Sequence, residues 1–454
     1  MRIVERLEEI VGRENVISEY EDLFTYSIDA APGKFVVPEA VVKVHERDEV
    51  SEILKLCNET RTPVVCRGAG SSITGAPTPV EGGIVLDFTE MNRIKEVEEK
   101  KMCVTVEPGV VYSQLNEFLS EFNLFFPPDP GSADVCTIGG MVSNNASGMR
   151  AVKYGTTENY VRVLEVVLPG GRVFRIGKKV VKSSAGYDLR KLFVGSEGTL
   201  GAITEMTLSL RPLPKHRRTF FAYFDDVGKA GRTVTEIILS GVTPAAMEFL
   251  DDVILETIVR SGKKELKITE SALLIEYDGF FEENVKRECD VAVEICRRNG
   301  AEIIYAESDE EREKIWEIRR MAYPLLVQRC VSPITGDVIV PIECFEEAIV
   351  SFKKMAEDMD VPTSFLGHSG DGNIHPIILA DERDEELWRR ALKLNEMIIK
   401  RAVSLGGSIT AEHGVGYDKN KFLKLEWGES AEIYRKIKRI LDPNNIMNPG
   451  KMVA

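Results

Sequence analysis

A loop of small residues, Arg67-Gly68-Ala69-Gly70-Ser71-Ser72-Ile73-Thr74-Gly75, runs into Pro77 and Pro79 rather than into a helix. That choice excludes much. The periodicity upstream predicts a strand over 40–44, a helix over 48–58 and a second strand over 63–66, which together make a β-α-β unit. A nicotinamide-type dinucleotide turn must open a helix, whereas here another strand is expected over 83–88. Such a loop can still hold a diphosphate, because consecutive backbone N–H groups form an anion-binding nest where side chains are small. A plain surface loop is the alternative reading.

Two further segments share this texture. Residues 127–148, with Pro127-Pro128-Asp129-Pro130-Gly131 and Thr137-Ile138-Gly139-Gly140-Met141-Val142-Ser143-Asn144-Asn145-Ala146-Ser147-Gly148, look too rich in Gly, Asn and Ser for a core helix and too apolar for a linker. They suit a cofactor lining. Residues 195–204 repeat the character just before a strand expected over 205–211. At Pro212-Leu213-Pro214-Lys215 the texture stops, and strand (219–224), helix (227–240), strand (273–277) and helix (284–299) follow. The fold class expected is α+β, with a second domain built on an antiparallel sheet. A boundary falls near 214, and the tail carries a helix over 431–441.

A chain of 454 residues is long for one core, so two domains are expected. Its formal net charge of −15 argues against a nucleic-acid partner, which needs basic patches. No stretch approaches the roughly 20 apolar residues needed to span a bilayer, and the start, residues 1–10, reads as an amphipathic helix without a signal-peptide core. A cytoplasmic location is expected. The eight cysteines form no Cys-x2-Cys run, so an iron–sulfur cluster or zinc ribbon within this chain is not expected.

Three of the five histidines lie in Gly367-His368-Ser369-Gly370-Asp371-Gly372-Asn373-Ile374-His375 and Glu412-His413-Gly414-Val415-Gly416. The first segment predicts strand, turn, strand, which brings His368 and His375 side by side. Two imidazoles and a carboxylate, Glu412, make a three-ligand set that leaves a zinc-like ion an open position. A histidine in a glycine-rich turn is also an ordinary hydrogen-bonded loop residue, and the spacing alone is a weak signal.

In this order, the RGAGSSITG loop, PPDPGS with GGMVSNNASG, the block from Lys182 to Gly201, GHSGDGNIH, AEHGVG and the terminal DPNNIMNPGK resemble the flavin-dependent 2-hydroxyacid dehydrogenases of the vanillyl-alcohol-oxidase superfamily. The group concerned contains D-lactate dehydrogenase and the flavin-carrying chain of glycolate oxidase. The resemblance spans about Pro38 to Lys451. It implies a two-part FAD-binding domain of the vanillyl-alcohol-oxidase type, over 1–213 and a returning segment 419–454, with an α/β cap over 214–418. Arg67, Gly68, Ala69, Gly70, Ser71, Ser72 and Thr74 would wrap the FAD diphosphate. Pro130, Gly131, Ser132, Thr137, Gly140, Ser143, Asn145, Ala146 and Gly148 would line the rest, with Glu197, Gly198 and Ile203 at the adenine end and Asn448 near the flavin. The loop lacks the histidine through which some relatives attach flavin, so non-covalent FAD is expected.

By the same resemblance His368, His375 and Glu412 bind a divalent metal, read as zinc, His413 is the catalytic base, and Arg319 grips the substrate carboxylate. The alternative for Arg319 is a solvated helix face shared with Glu317 and Arg320. D-2-hydroxyglutarate dehydrogenases carry a lysine two residues before the aspartate matching Asp337; Thr335 stands there, which favours D-lactate or glycolate. The electron acceptor is expected to be separate, an iron–sulfur subunit or a quinone. Rival readings are an electron-transfer subunit of a glycolate oxidase-like complex without its own turnover, a D-2-hydroxyglutarate dehydrogenase, an NADPH-reduced flavin reductase, and a metal-dependent lyase or hydrolase.

Overall fold

The computed structural model describes residues 3–30, 36–262 and 266–452. Met1 and Arg2 of the expected opening helix, and residues 453–454 of the returning segment, lie outside them. Contacts divide the chain into two compact units: Met1–Ser147, Thr156–Leu213 and Glu412–Ala454 form the first, Gly148–Gly155 and Pro214–Ala411 the second. The changeover at Glu412 comes ahead of the return expected at 419, because the backbone of Val415 and Gly416 is bonded to Glu197 of the first unit.

In the first unit the β-α-β unit forms as expected. Strands Ala40–Lys43 and Val64–Arg67 both pair in parallel with Ile84–Asp87, and helix Arg47–Thr60 connects the first two. Val42, Val64, Ile84 and Leu86 pack with Val50, Ile53, Leu54 and Cys57 of that helix. A five-stranded antiparallel sheet follows, in the order Ile94–Glu98, Cys103–Val106, Ala202–Ser209, Val161–Val167, Val173–Gly177. Strand Ala202–Ser209 begins earlier than the expected 205–211, so Ile203 and Thr204 lie inside it.

One expectation fails here. The segment judged too rich in glycine for a core helix is helical over Ile138–Asn144, with Ile138, Met141 and Val142 buried. The reason is close packing: a Cβ on Gly139 would sit 2.5 Å from the Pro108 side chain, so this helix needs its glycine to approach that turn. Thr137 caps it, accepting from the Gly140 N–H at 3.3 Å.

The C-terminal tail returns to the same unit by buried polar ties. Lys438, on helix Ala431–Leu441, donates to Asp442 at 2.5 Å and to the Thr199 and Met447 carbonyls at 2.7 Å each. Lys451 reaches the carbonyls of Ala76 and Thr78 and the Asn448 side chain.

The second unit carries an antiparallel sheet. Its order is Glu302–Tyr305, His216–Phe224, Ser271–Gly279, Ala246–Asp251, Thr363–His368, Asn373–Ile378 and Ile334–Thr335, with Val338–Ile339 also pairing on Asn373–Ile378. Leu250, Ala272, Leu274 and Leu366 of this sheet pack on helices Asp252–Arg260 and Asp309–Val327, burying Ile254, Ile258, Trp316 and Ala322. The expected strands 219–224 and 273–277 are the middles of longer strands.

Candidate functional site

Strand periodicity places the two histidines. The hairpin pairs Leu366 with His375 and Thr363 with Ile378. His368 therefore stands diagonally from His375 on the same sheet face rather than opposite it, and the ring centroids lie 5.2 Å apart at 83°. A short 3-10 turn, Ser369–Asp371, links the strands. Both rings are buried.

Directly across the sheet from His368 sits Glu248, in strand Ala246–Asp251. Its carboxylate is fully buried, with Oε1 2.8 Å from His368 Nδ1. Oε2 accepts from Arg319 Nε at 2.9 Å and from Nη2 at 2.6 Å. Burial works to raise the Glu248 pKa, but His368 and Arg319 outweigh it and hold the carboxyl below its ordinary value. Arg319 is thus not on a solvated helix face: it is 7% exposed and turned into the sheet. No sequence motif points to Glu248. The available signal is a lone acid between Ala246-Met247 and Phe249-Leu250, in a strand buried at every position.

A second carboxylate holds the other histidine's surroundings. Asp337 accepts from Asn373 Nδ2 at 2.7 Å, from the Thr410 hydroxyl at 2.6 Å and from the Ala411 N–H at 2.9 Å, and lies 3.6 Å from His375 Nδ1. Thr335 pairs with Ile377, on the same face as His375, and its hydroxyl is 3.0 Å from the Tyr323 phenol. Two buried imidazoles, one with its Nδ1 on a carboxylate, are a donor pair that fits a divalent ion such as zinc.

The remaining two motif residues belong to the first unit. The Glu412 carbonyl accepts from Asn144 Nδ2 at 2.8 Å, and its carboxylate from the Ser147 hydroxyl at 3.3 Å. His413 is half-buried beside it, Nε2 lying 3.7 Å from Glu412 Oε1. The loop beyond is locked by backbone: Val415 and Gly416 donate to Glu197 at 2.6 and 2.8 Å, and Tyr417 N–H to the Thr74 carbonyl at 2.8 Å. Gly414 and Gly416 have φ of 81° and 52°, and a Cβ on either would strike Asn144 or the Thr74 carbonyl.

Most residues expected to line a flavin lie in the same unit. Arg67 ends its strand and donates to the Ile28 carbonyl at 2.9 Å, while burial presses its pKa down. Gly70 has φ of 71°, and the side chain of Thr137 closes on Gly68 so tightly that no Cβ fits there. Around Gly131 the backbone is open, and at Gly140 a Cβ would meet only the Thr137 hydroxyl. Open, small-residue backbone of this kind fits a phosphate-bearing cofactor such as FAD. Asn145, at φ of 52°, ends the glycine-rich helix, with its side chain accepting from Glu158 N–H at 2.9 Å. Gly148 falls with the second unit. Glu197 and Asn448 are engaged with the protein: burial raises the Glu197 carboxyl's pKa against the pull of its two backbone donors, and Asn448 donates to the Glu197 carbonyl at 2.7 Å. Gly198 follows at φ of 69°.

The comparisons with known proteins agree with this layout. Residues 38–177 match the family described as FAD binding domain, and 213–452 the FAD linked oxidases, C-terminal domain. Glycolate oxidase subunit GlcD of Bacillus subtilis is 39% identical over 100% of this chain and 97% of its own. The mitochondrial cytochrome-type D-lactate dehydrogenase of Arabidopsis thaliana is 38% identical over 92% of this chain and 74% of its own. Among solved structures, p-cresol methylhydroxylase superposes with a TM-score of 0.81 over 99% of this chain and 95% of its own, at 17% identity. That likeness shows the fold, which is of the vanillyl-alcohol-oxidase type. With models matched across both units and a relative aligned end to end, the chain belongs to the FAD-linked oxidases.

Proposed function

We propose that this protein oxidises a small D-2-hydroxy acid, D-lactate or glycolate ahead of D-2-hydroxyglutarate, to the 2-oxo acid. The observation that carries the reading is the buried His368–His375 pair, tied through Glu248 to Arg319 on one sheet. A flavin-binding subunit without its own turnover has no need of that assembly.

His368, His375 and Glu412 would hold a divalent ion, zinc by its donor set, and the loops around Arg67, Thr137 and Glu197 would hold FAD without a covalent bond. When bound, FAD supplies the two-electron acceptor for the hydride from C2, and the ion supplies Lewis acidity toward the 2-hydroxyl. The chain's own share is orientation and proton movement. Arg319 keeps Nη1 beyond its pair with Glu248, a donor for a substrate carboxylate. His413 takes the hydroxyl proton, a task suited to a group that titrates near neutrality. Thr335 and Tyr323 offer hydroxyls, where a second carboxylate would call for a cation.

Electrons then pass to a separate acceptor, an iron–sulfur subunit or a quinone. A cytoplasmic location belongs to the same proposal. Among the described residues no helix is long and apolar enough to cross a membrane.

The test is an anaerobic titration of the FAD-loaded protein with D-lactate, L-lactate, glycolate and D-2-hydroxyglutarate, before and after chelation, followed by the flavin absorbance near ~450 nm. Bleaching by D-lactate or glycolate that disappears with the metal is the expected result. A flavin that none of the four acids reduces, with or without metal, sinks the dehydrogenase reading in favour of the electron-transfer subunit.

A further inference from the structure

We infer that Glu248 is a positioning residue for the proposed metal centre: its carboxylate holds His368 with the proton on Nδ1, which leaves Nε2 as the ring nitrogen offered to a divalent cation. The inference rests on the metal-dependent reading above and deepens it.

The geometry is specific. Glu248 and His368 are direct cross-strand partners, so backbone pairing alone sets the two side chains against each other. An ionised carboxylate can only accept hydrogen bonds, so the 2.8 Å contact at Nδ1 requires that nitrogen to carry the proton. Free neutral imidazole prefers its proton on Nε2, and the carboxylate reverses that preference. Arg319 fixes the carboxylate from its other oxygen through two N–H groups, so the acid cannot swing away from the ring. A metal-bound histidine commonly gives its second N–H to such a partner, which sets the tautomer and the ring plane. A buried ion pair kept for stability alone is a weak alternative, since well-packed apolar residues serve as well or better. The strand around Glu248 is apolar already: Met247, Phe249 and Leu250 are all buried.

Arg319 gains a second task by this account. Two of its donor groups serve Glu248, and Nη1 is left for the substrate. The arginine expected to grip substrate is therefore itself held by the group that orients the metal ligand.

The test strips the FAD-loaded protein of metal and titrates Zn²⁺ against a chromophoric chelator. Glu248→Gln can accept from Nδ1–H only by turning its NH₂ toward Arg319, so it cannot serve both partners. Zinc affinity is expected to fall by about 10–100-fold, with the flavin spectrum and FAD affinity unchanged. Wild-type protein that binds no zinc ends the metal-dependent reading and this inference together. Wild-type protein that binds zinc while Glu248→Gln binds it equally well overturns the inference alone. Should Glu248→Gln fail to hold FAD, ring-nitrogen NMR of ¹⁵N-histidine-labelled, zinc-free wild type decides, with His368 assigned by its loss in His368→Gln. A proton on Nδ1 supports the inference; a proton on Nε2 overturns it.

Discussion

The hairpin carrying His368 and His375 and the loop carrying Glu412 and His413 are both glycine-flanked histidine motifs, yet they are held by opposite means. In the hairpin the side chains are placed by strand register, with Glu248 and Asp337 against them. In the loop the backbone is what is gripped: the N–H groups of Val415 and Gly416 by Glu197, the Glu412 carbonyl by Asn144, and the N–H of Tyr417 by the Thr74 carbonyl. Side-chain chemistry and backbone fit are therefore separable in the loop, whereas in the hairpin one carboxylate touches both. A substitution that removes an imidazole from the loop leaves its supports in place. A substitution that adds a methyl group to a loop glycine removes the supports and leaves the imidazole.

The largest effect expected on this view is that of His413→Ala. Loss of a positioned general base lowers the rate of flavin reduction by ~10²–10⁴-fold, while FAD binding and the unfolding midpoint stay close to wild type. Stopped-flow reduction by the best hydroxy acid, alongside a melting curve, checks both halves. A variant that melts well below wild type breaks the claim that the loop is held by its backbone.

Gly416→Ala should do the reverse. A Cβ at φ of 52° would press on the Thr74 carbonyl and hydroxyl, and strained left-handed backbone costs roughly 1–3 kcal/mol before the clash is counted. Thermal unfolding should report a loss of about 3 kcal/mol. Gly131→Ala meets nothing within 4 Å and serves as the control, with an expected change within about 0.5 kcal/mol. Equal melting of the two variants would dissolve the contrast between the motifs.

Much of this was legible in the residues. The β-α-β unit, the rejection of a helix after the Arg67–Gly75 loop and the hairpin at His368 follow from period-two patterning and turn chemistry, which are local properties. What stayed hidden is what depends on partners distant in sequence. Arg319 lies in a helix whose acids and bases alternate as they would on a solvated face, and its burial is decided by Glu248. Helix Ile138–Asn144 has poor intrinsic propensity and forms because its glycines let it approach the turn at Pro108. Glu197, expected at the adenine end, has its carboxylate on Val415 and Gly416, a pairing across more than two hundred residues that no local pattern announces.

The smallest effect sharpens the comparison through pH, because a buried acid also braces the hairpin layer. Asp251 ends the strand that carries Glu248 and caps helix Asp252–Arg260, accepting from Ile254 N–H at 3.1 Å, Phe365 N–H at 2.7 Å and the Ser364 hydroxyl at 2.7 Å. Burial pushes its pKa up to about 6. In the unfolded chain the same group ionises near ~4, so between those values the folded state holds a proton that the unfolded state has released. Its contribution to stability is therefore complete below pH ~4, falls as the pH rises toward 6, and is constant above; the total change is at most about 3 kcal/mol. Asp251→Asn cannot ionise, so the difference in melting temperature between wild type and variant should move in the variant's favour from pH 4 to pH 6 and then level off. A difference that is flat across that window would mean that the three donors hold Asp251 ionised throughout, as the backbone of Val415 and Gly416 pulls on Glu197, and the two units would then brace their motifs in the same way.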